Sequence, residues 1–227
     1  MNLPALPADA RLPRHHLVRV AAPAWAALMA SRDDPANEPL LQGWAQRGWP
    51  LIVRRRLPGE RGDASWLPLG LPLPPSAGKR RLALQVQARH IASVSALPQL
   101  CEVVTSAPRA WHPALRQLLA VGDRFGVQTR VFGSLAWQWL TGLDYLSRGS
   151  DIDLTWTLPA SECIEEFLAA VADIDGAAPM RVDGELLRSD GVGVNWRELH
   201  ARSAEVMLKT ASDPLLCSRS QFLEPVA

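Results

Sequence analysis

Val131-Phe132-Gly133-Ser134, followed after fifteen residues by Ser150-Asp151-Ile152-Asp153-Leu154, is the stretch that decides how this chain is read. Asp151 and Asp153 stand two apart in an apolar run. If the run is a strand, side chains alternate between faces, so both carboxylates project from the same face. Two carboxylates held that close repel each other unless a cation lies between them. A hard divalent ion such as Mg²⁺ takes oxygen ligands of this kind and keeps waters or substrate phosphates as well. Gly133-Ser134 supplies a second half. A glycine between an apolar strand and a helix lets backbone N–H groups come close to a phosphate. The competing reading is a strand ending in a solvated aspartate pair, with Gly-Ser as an ordinary turn.

Working outward, Val127 to Phe132 reads as a strand leading into Gly133-Ser134. Leu135 to Thr141 reads as a helix stopped by Gly142. Upstream, Pro113 to Phe125 carries helical spacing through Leu115, Leu118, Leu119 and Val121. Downstream, Asp151 to Thr157 is the carboxylate strand, and Pro159 to Ala172 is an amphipathic helix with Ile164, Phe167, Leu168 and Val171 on one side. Met180 to Leu187 and Val192 to Leu199 read as two strands joined by Ser189-Asp190-Gly191, a hairpin signal. Towards the start, Trp25 to Met29 and Pro39 to Arg47 read as short helices, and Pro50 to Arg56 as a strand that turns basic. Trp66 to Pro75, with its prolines and glycine, reads as loop or edge structure. Arg81 to Val86 is a further strand.

Composition bounds the possibilities. The 227 residues are 48% hydrophobic, enough for one large domain or two small ones, each with a core. With 24 basic and 23 acidic residues the net charge is +1, so no global field draws in nucleic acid. Cys101, Cys163 and Cys217 are scattered, which suits neither a disulfide framework nor a zinc site. The start, Met1-Asn2-Leu3-Pro4, lacks a charged and then apolar leader. No apolar stretch reaches the roughly 18 residues of a membrane span. The expectation is a cytoplasmic protein that binds neither membrane nor nucleic acid.

The order apolar-Gly-Ser, helix, Asp-apolar-Asp-apolar resembles the nucleotidyltransferase superfamily that includes DNA polymerase beta, although the sixteen residues between Ser134 and Asp151 form a long gap for that pattern. Further segments narrow the resemblance. They are the block from Gly133-Ser134-Leu135-Ala136-Trp137-Gln138-Trp139 to Tyr145-Leu146, the basic Arg14-His15, and Gly48-Trp49-Pro50-Leu51-Ile52-Val53-Arg54-Arg55. Pro68-Leu69-Gly70-Leu71-Pro72, Lys79-Arg80-Arg81-Leu82-Ala83-Leu84 and Val194-Asn195-Trp196-Arg197-Glu198-Leu199 add to them. Together they are similar to the malonate decarboxylase holo-[acyl-carrier-protein] synthases, also called phosphoribosyl-dephospho-CoA transferases.

That resemblance implies an α/β (α+β) chain: a small N-terminal mixed domain, taken as residues 1–100, and a C-terminal polymerase-beta-like nucleotidyltransferase domain, taken as 101–227. It implies a reaction in which a serine of the malonate decarboxylase acyl carrier protein attacks the α-phosphate of 2′-(5″-triphosphoribosyl)-3′-dephospho-CoA and pyrophosphate leaves. Asp151 and Asp153 would hold Mg²⁺, and Ser134 with the backbone amides beside Gly133 would hold the β- and γ-phosphates. In polymerase-beta relatives a third carboxylate often lies on the second hairpin strand. Asn195 occupies that stretch here, which leaves Asp183, Glu185 or Glu198 as substitutes, or no third ligand.

Several basic residues have two readings each. Arg54, Arg55 and Arg56 end a strand and suit either phosphate binding or a solvated edge. Lys79 and Arg81, with Arg80 between them, suit phosphate, an acidic carrier protein or plain solvent. Lys209, one of only two lysines, suits phosphate neutralisation or a solvated helix end. Trp137 and Trp139 cannot share a helix face, so one belongs to the core and the other is available to stack on a base. Two other functions stay open: a nucleotidyltransferase that adenylylates a small molecule or protein, and a non-catalytic binding module of the same fold.

Overall fold

The computed structural model describes residues 12–32, 38–211 and 214–224 and divides the chain into two units, Met1–Ala96 and Leu97–Ala227. The division falls four residues before the expected 100/101 boundary, so the short helix at Leu100–Val103 lies wholly in the second unit.

The first unit is an antiparallel sheet with two short helices. Its elements are β1 (Leu17–Val20), α1 (Ala22–Ala30), α2 (Pro39–Gln42), β2 (Leu51–Val53), β3 (Trp66–Pro72), β4 (Arg81–Gln87) and β5 (Ile91–Ser95), with the strand order β4-β3-β2-β1-β5. Its core includes Leu17, Val18, Trp25, Leu41, Trp44, Leu69 and Leu71. Both core indoles satisfy their N–H: Trp25 Nε1 donates to the Leu41 carbonyl at 2.6 Å and Trp44 Nε1 to the Pro50 carbonyl at 3.0 Å.

The structure corrects the loop reading of Trp66 to Pro75: β3 is an interior strand, paired on both sides. Its alternation of buried Leu67, Leu69 and Leu71 with half-buried Trp66, Pro68, Gly70 and Pro72 is the period-two signal of a strand. The prolines fit because β2 spans only three residues. Ile52 faces Gly70 and the Arg54 N–H donates to the Pro68 carbonyl, so Pro68 and, by the same register, Pro72 face the ends of β2 rather than its middle. The strand expected over Pro50 to Arg56 stops at Val53, and the helix expected over Pro39 to Arg47 stops at Gln42. β1 and β5, which pair with each other, are too short and mixed in pattern to stand out in the sequence.

The second unit holds α3 (Leu100–Val103), α4 (His112–Phe125), β6 (Thr129–Phe132), α5 (Gly133–Thr141), β7 (Ile152–Thr157), α6 (Ile164–Ala177), β8 (Val182–Leu187), β9 (Gly193–Asn195), α7 (Trp196–His200), β10 (Glu205–Leu208), β11 (Leu215–Ser218) and α8 (Arg219–Leu223). A sheet in the order β6-β7-β8-β9 is antiparallel except for the parallel pair β7/β8, which the crossover helix α6 connects. The ribbon β10-β11 joins this sheet through a backbone bridge between Lys209 and Gly193.

One face of the sheet presents Val131, Ile152, Leu154, Trp156, Val182, Leu186 and Val194 to a core that includes Leu115, Leu118, Phe167, Leu168 and Val171. Full burial of each large apolar side chain contributes roughly 1.5–3 kcal/mol. The intervening residues of the same strands, Asp153, Thr155, Asp183, Glu185 and Asn195, therefore fall on the opposite face. Gly184 sits where no side chain fits: an added Cβ would lie 2.7 Å from the Leu154 carbonyl oxygen and against the Trp156 ring.

The strand expected over Val192 to Leu199 ends at Asn195 and continues as helix α7. The Asn195 side chain accepts the Arg197 N–H at 2.9 Å and caps that helix, so Trp196 and Leu199 enter the core at helical spacing. The helix expected from Pro159 begins at Ile164, after a 3₁₀ turn at Ser161–Cys163, and runs on to Ala177. The predicted stop at Gly142 is present, with φ +71° in the left-handed region.

Candidate active site

The parallel register of β7 and β8 sets Asp153 directly beside Asp183. A slip by one residue would send either carboxylate into the core face, and the buried residues on both sides forbid that. Asp151 lies just before β7 begins. Carboxylate oxygens of Asp151, Asp153 and Asp183 all lie within 4.8 Å of one another, and all three residues are half-buried. Among the described residues, this is the one group of His, Cys, Asp and Glu side chains gathered closely enough to share an ion.

Gly133 completes the arrangement in a way the sequence does not reveal. It is the first residue of α5, with φ +65°, and its α-carbon packs against the Asp153 side chain. An added Cβ would sit 2.5 Å from Asp153 Cγ and 2.9 Å from its Cβ, closer than any real pair of carbons. The glycine thus has two causes, the left-handed backbone and the carboxylate pressed against it. Ser134 follows as the second residue of the helix and is half-buried. The helix N-terminus, with its unpaired amides, therefore opens beside the carboxylate cluster.

Asp183 is held from several directions. Asn195 Nδ2 donates to Asp183 Oδ1 at 2.9 Å while Asn195 Oδ1 accepts from Arg197 N, which fixes the amide's orientation. The start of β8 is fastened by Asp175, which accepts the Val182 N–H and an Arg197 Nη2 hydrogen, both at 2.8 Å. Partial burial works against the Asp175 carboxylate. The bonds from Arg197 and the Val182 N–H outweigh it and hold the group below the usual carboxylate range.

Of the three substitutes open from the sequence, Asp183 joins the aspartate pair. Glu185 is buried and bonds Lys209 Nζ at 2.9 Å, and Glu198 accepts the Met207 N–H at 2.7 Å. Asn195, which is not a carboxylate, is a hydrogen-bond donor to Asp183, the carboxylate that joins the pair. Partners of ligating carboxylates typically matter about 10- to 100-fold in metal affinity or activity. Asn195→Ala is accordingly expected to weaken Mn²⁺ binding, measured by titration calorimetry, by about that factor while the protein stays folded. Unchanged affinity would show that Asp183 needs no orienting partner.

The long segment between the two halves of the motif is pinned to α5. Gln138 Oε1 accepts the N–H groups of Tyr145 and Leu146, each at 3.2 Å, and its Nε2 donates to the Ser106 carbonyl at 2.8 Å. Ser150 then turns the chain into Asp151 by accepting the Ser147 N–H at 2.9 Å. Tyr145 is buried with its ring 6.3 Å from that of Trp137, and burial pushes its phenol pKa up. Trp137 is core at 4% exposure and Trp139 is solvent-exposed at 40%, in keeping with their opposite helix faces.

The other four sequence candidates lie in the first unit. All five guanidinium N–H groups of Arg54 have acceptors there, on Glu60, Leu69, Arg55 and Leu84. The hydrogen bond from Arg54 also holds the Glu60 carboxyl below its usual range. Arg54 thus ties its own strand end together. Arg55, Lys79 and Arg81 are exposed, Lys79 at φ +53° in the turn between β3 and β4.

Comparison with known proteins covers the chain from near its start to near its end. Residues 13–96 match the family model described as the phosphoribosyl-dephospho-CoA transferase MdcG N-terminal domain, and residues 99–220 match that of the MdcG C-terminal domain. A phosphoribosyl-dephospho-CoA transferase of Bradyrhizobium diazoefficiens is 45% identical over 223 residues, covering 98% of this chain and 97% of the relative. Proteins of the same name from Xanthomonas campestris pv. campestris (strain 8004) and Xanthomonas axonopodis pv. citri are 42% and 41% identical, over 77% and 81% of this chain and 81% and 85% of their own lengths. No solved structure matches the chain.

Proposed function

This chain belongs to the phosphoribosyl-dephospho-CoA transferase family of enzymes, and from that premise we propose that it loads the malonate decarboxylase acyl carrier protein with its prosthetic group. The donor is 2′-(5″-triphosphoribosyl)-3′-dephospho-CoA. The observation that carries the proposal is the cluster of Asp151, Asp153 and Asp183 at the N-terminus of α5.

The donor set fits Mg²⁺. Three hard carboxylate oxygens within 4.8 Å of one another match an ion whose ligands sit at about 2.1 Å. Asp151, Asp153 and Asp183 would hold the ion, and its positive charge would supply electrostatic stabilisation for the phosphates as pyrophosphate departs. The protein's own groups do the rest. The amides at Gly133 and Ser134 orient the β- and γ-phosphates. The carrier serine oxygen forms a bond to the α-phosphorus, the bond from that phosphorus to the bridging oxygen breaks, and the electron pair leaves with pyrophosphate. The serine proton passes to a carboxylate of the cluster. The product is a phosphodiester on the carrier.

Among the described residues, no helix is long and apolar enough to cross a membrane, and the proposed setting is the cytoplasm. The test is to incubate the protein with Mg²⁺, the donor and apo carrier protein, and weigh the carrier intact. The expected result is a mass gain equal to one phosphoribosyl-dephospho-CoA group, abolished by chelator. A parallel arm with a citrate lyase carrier reads carrier preference. An unmodified carrier in every arm, with well-folded protein, would reject the proposal and direct a screen of nucleoside triphosphates.

A further inference from the structure

A cleft of about 530 Å³ opens beside the aspartate cluster, lined by Asp175, Ala178, Pro179, Met180, Arg181 and Arg197. It is built from the end of α6, the residues that lead into β8, and helix α7, which follows β9. Arg181 stands two residues before Asp183, about 6.6 Å along the chain. Its carbonyl accepts the Ile152 N–H at 3.0 Å, which carries the β7/β8 pairing one step further. Arg197 is tied to the cluster through the Asn195 side chain, which accepts the Arg197 N–H and donates to Asp183.

The cleft carries two guanidinium groups against one carboxylate. That carboxylate, Asp175, is engaged by the Val182 N–H and by Arg197 Nη2. Arg197 keeps 34% of its side chain exposed, and its Nε is buried with no hydrogen-bond partner among the described residues. Arg181 is exposed, and among the described residues its side chain makes no hydrogen bond or ion pair. Positive charge is therefore presented to solvent next to three carboxylates.

The direction of the reaction gives that charge a use. On the proposed reading the leaving pyrophosphate lies at the Gly133 and Ser134 amides, where β6 ends. In an in-line displacement the attacking oxygen arrives opposite the leaving one. The sheet order β6-β7-β8-β9 puts β8 and β9 on that opposite side. A protein that brings its serine there rests its own surface against the cleft. Around the serine, an acidic surface is attracted by Arg181 and Arg197, which offset the repulsion from the three aspartates.

We propose that this cleft is the docking surface for the acidic face of the carrier protein that flanks the acceptor serine, with Arg181 as its exposed charged contact. The inference rests on the proposed carrier-loading reading and adds the face from which the carrier approaches.

The experiment measures kcat and the KM values for apo carrier and for donor over a range of salt. Arg181→Glu is expected to raise the carrier KM about tenfold or more, and Arg181→Ala about threefold, with kcat and donor KM near parental. Added salt should raise the carrier KM of the parent more than that of Arg181→Ala. Because Arg181 is exposed, both variants should melt with the parent. A charge swap supplies the specific readout: acidic residues of the carrier near its serine are changed singly to lysine, and one of them should restore most of the loss in Arg181→Glu. A parental carrier KM in Arg181→Glu, or a raised one that no swap restores, would overturn the inference alone. A rise confined to the donor KM would also overturn it and assign the cleft to the donor. A parent protein that does not load the carrier would overturn the loading reading, and this inference with it.

Discussion

Asp153→Asn is expected to lower the rate of carrier loading by about three orders of magnitude or more while leaving the melting temperature level or slightly raised. The two effects separate because the residue's cost and its use lie in different places. On the protein alone, Asp153 stands beside Asp183 and near Asp151, and removing one negative charge relieves repulsion among the three. On the proposed reaction, a lost carboxylate would remove one of the ion's proposed ligands, and several kcal/mol of transition-state stabilisation corresponds to about a thousandfold or more. The checks are single-turnover transfer by intact mass and a thermal melt of the same preparation. A variant that transfers at the parental rate would keep the transfer activity but remove Asp153 from the chemistry and overturn the site.

Gly133→Ala should be nearly as damaging to transfer, by a steric route. The methyl group would overlap the Asp153 carboxyl group and lie 2.9 Å from its Cβ, so the aspartate must leave its rotamer and the strand must shift. Alanine also carries the penalty of the left-handed conformation at φ +65°, about 1–2 kcal/mol. The expected outcome is a stability loss of about that size and a fall in activity far larger than such destabilisation accounts for. Mn²⁺ affinity provides the independent reading: it should fall with activity in Gly133→Ala, because the displaced group is one of the proposed ligands. Normal Mn²⁺ binding and normal transfer would show that the helix start adapts and that the glycine serves the turn only.

The carboxylate pair was legible because it obeys a local rule. Two residues apart on a strand is one face whatever surrounds it, and an apolar-Gly-Ser turn before a helix announces itself over four residues. The same locality made α4, α5 and the 189–191 turn readable: their signals are a 3.6-residue period, a terminal glycine and a polar tripeptide between apolar runs. β3 was misread because its two prolines are a breaker signal on their own, and only the shortness of β2 makes them harmless. β9 was read too long because Val192 to Leu199 stays apolar through a change of period, and the change is made by one capping side chain, Asn195.

By itself the sequence determined the two-part character of the chain, the strand that carries Asp153, with Asp151 just before it, and the helix start at Gly133, since each depends on spacing along a few residues. Only the tertiary structure decided which acid completes the cluster. Asp183, Glu185 and Glu198 were equivalent by sequence, and the parallel register of β7 and β8 brought Asp183 beside Asp153 while Lys209 and the Met207 amide engaged the other two. The same holds for Gly133 against Asp153, and for Arg54, whose donors are all spent within its own unit. These are contacts between residues distant along the chain. The spacing of residues sets which face a side chain takes, whereas strand pairing and packing set which side chain it meets there.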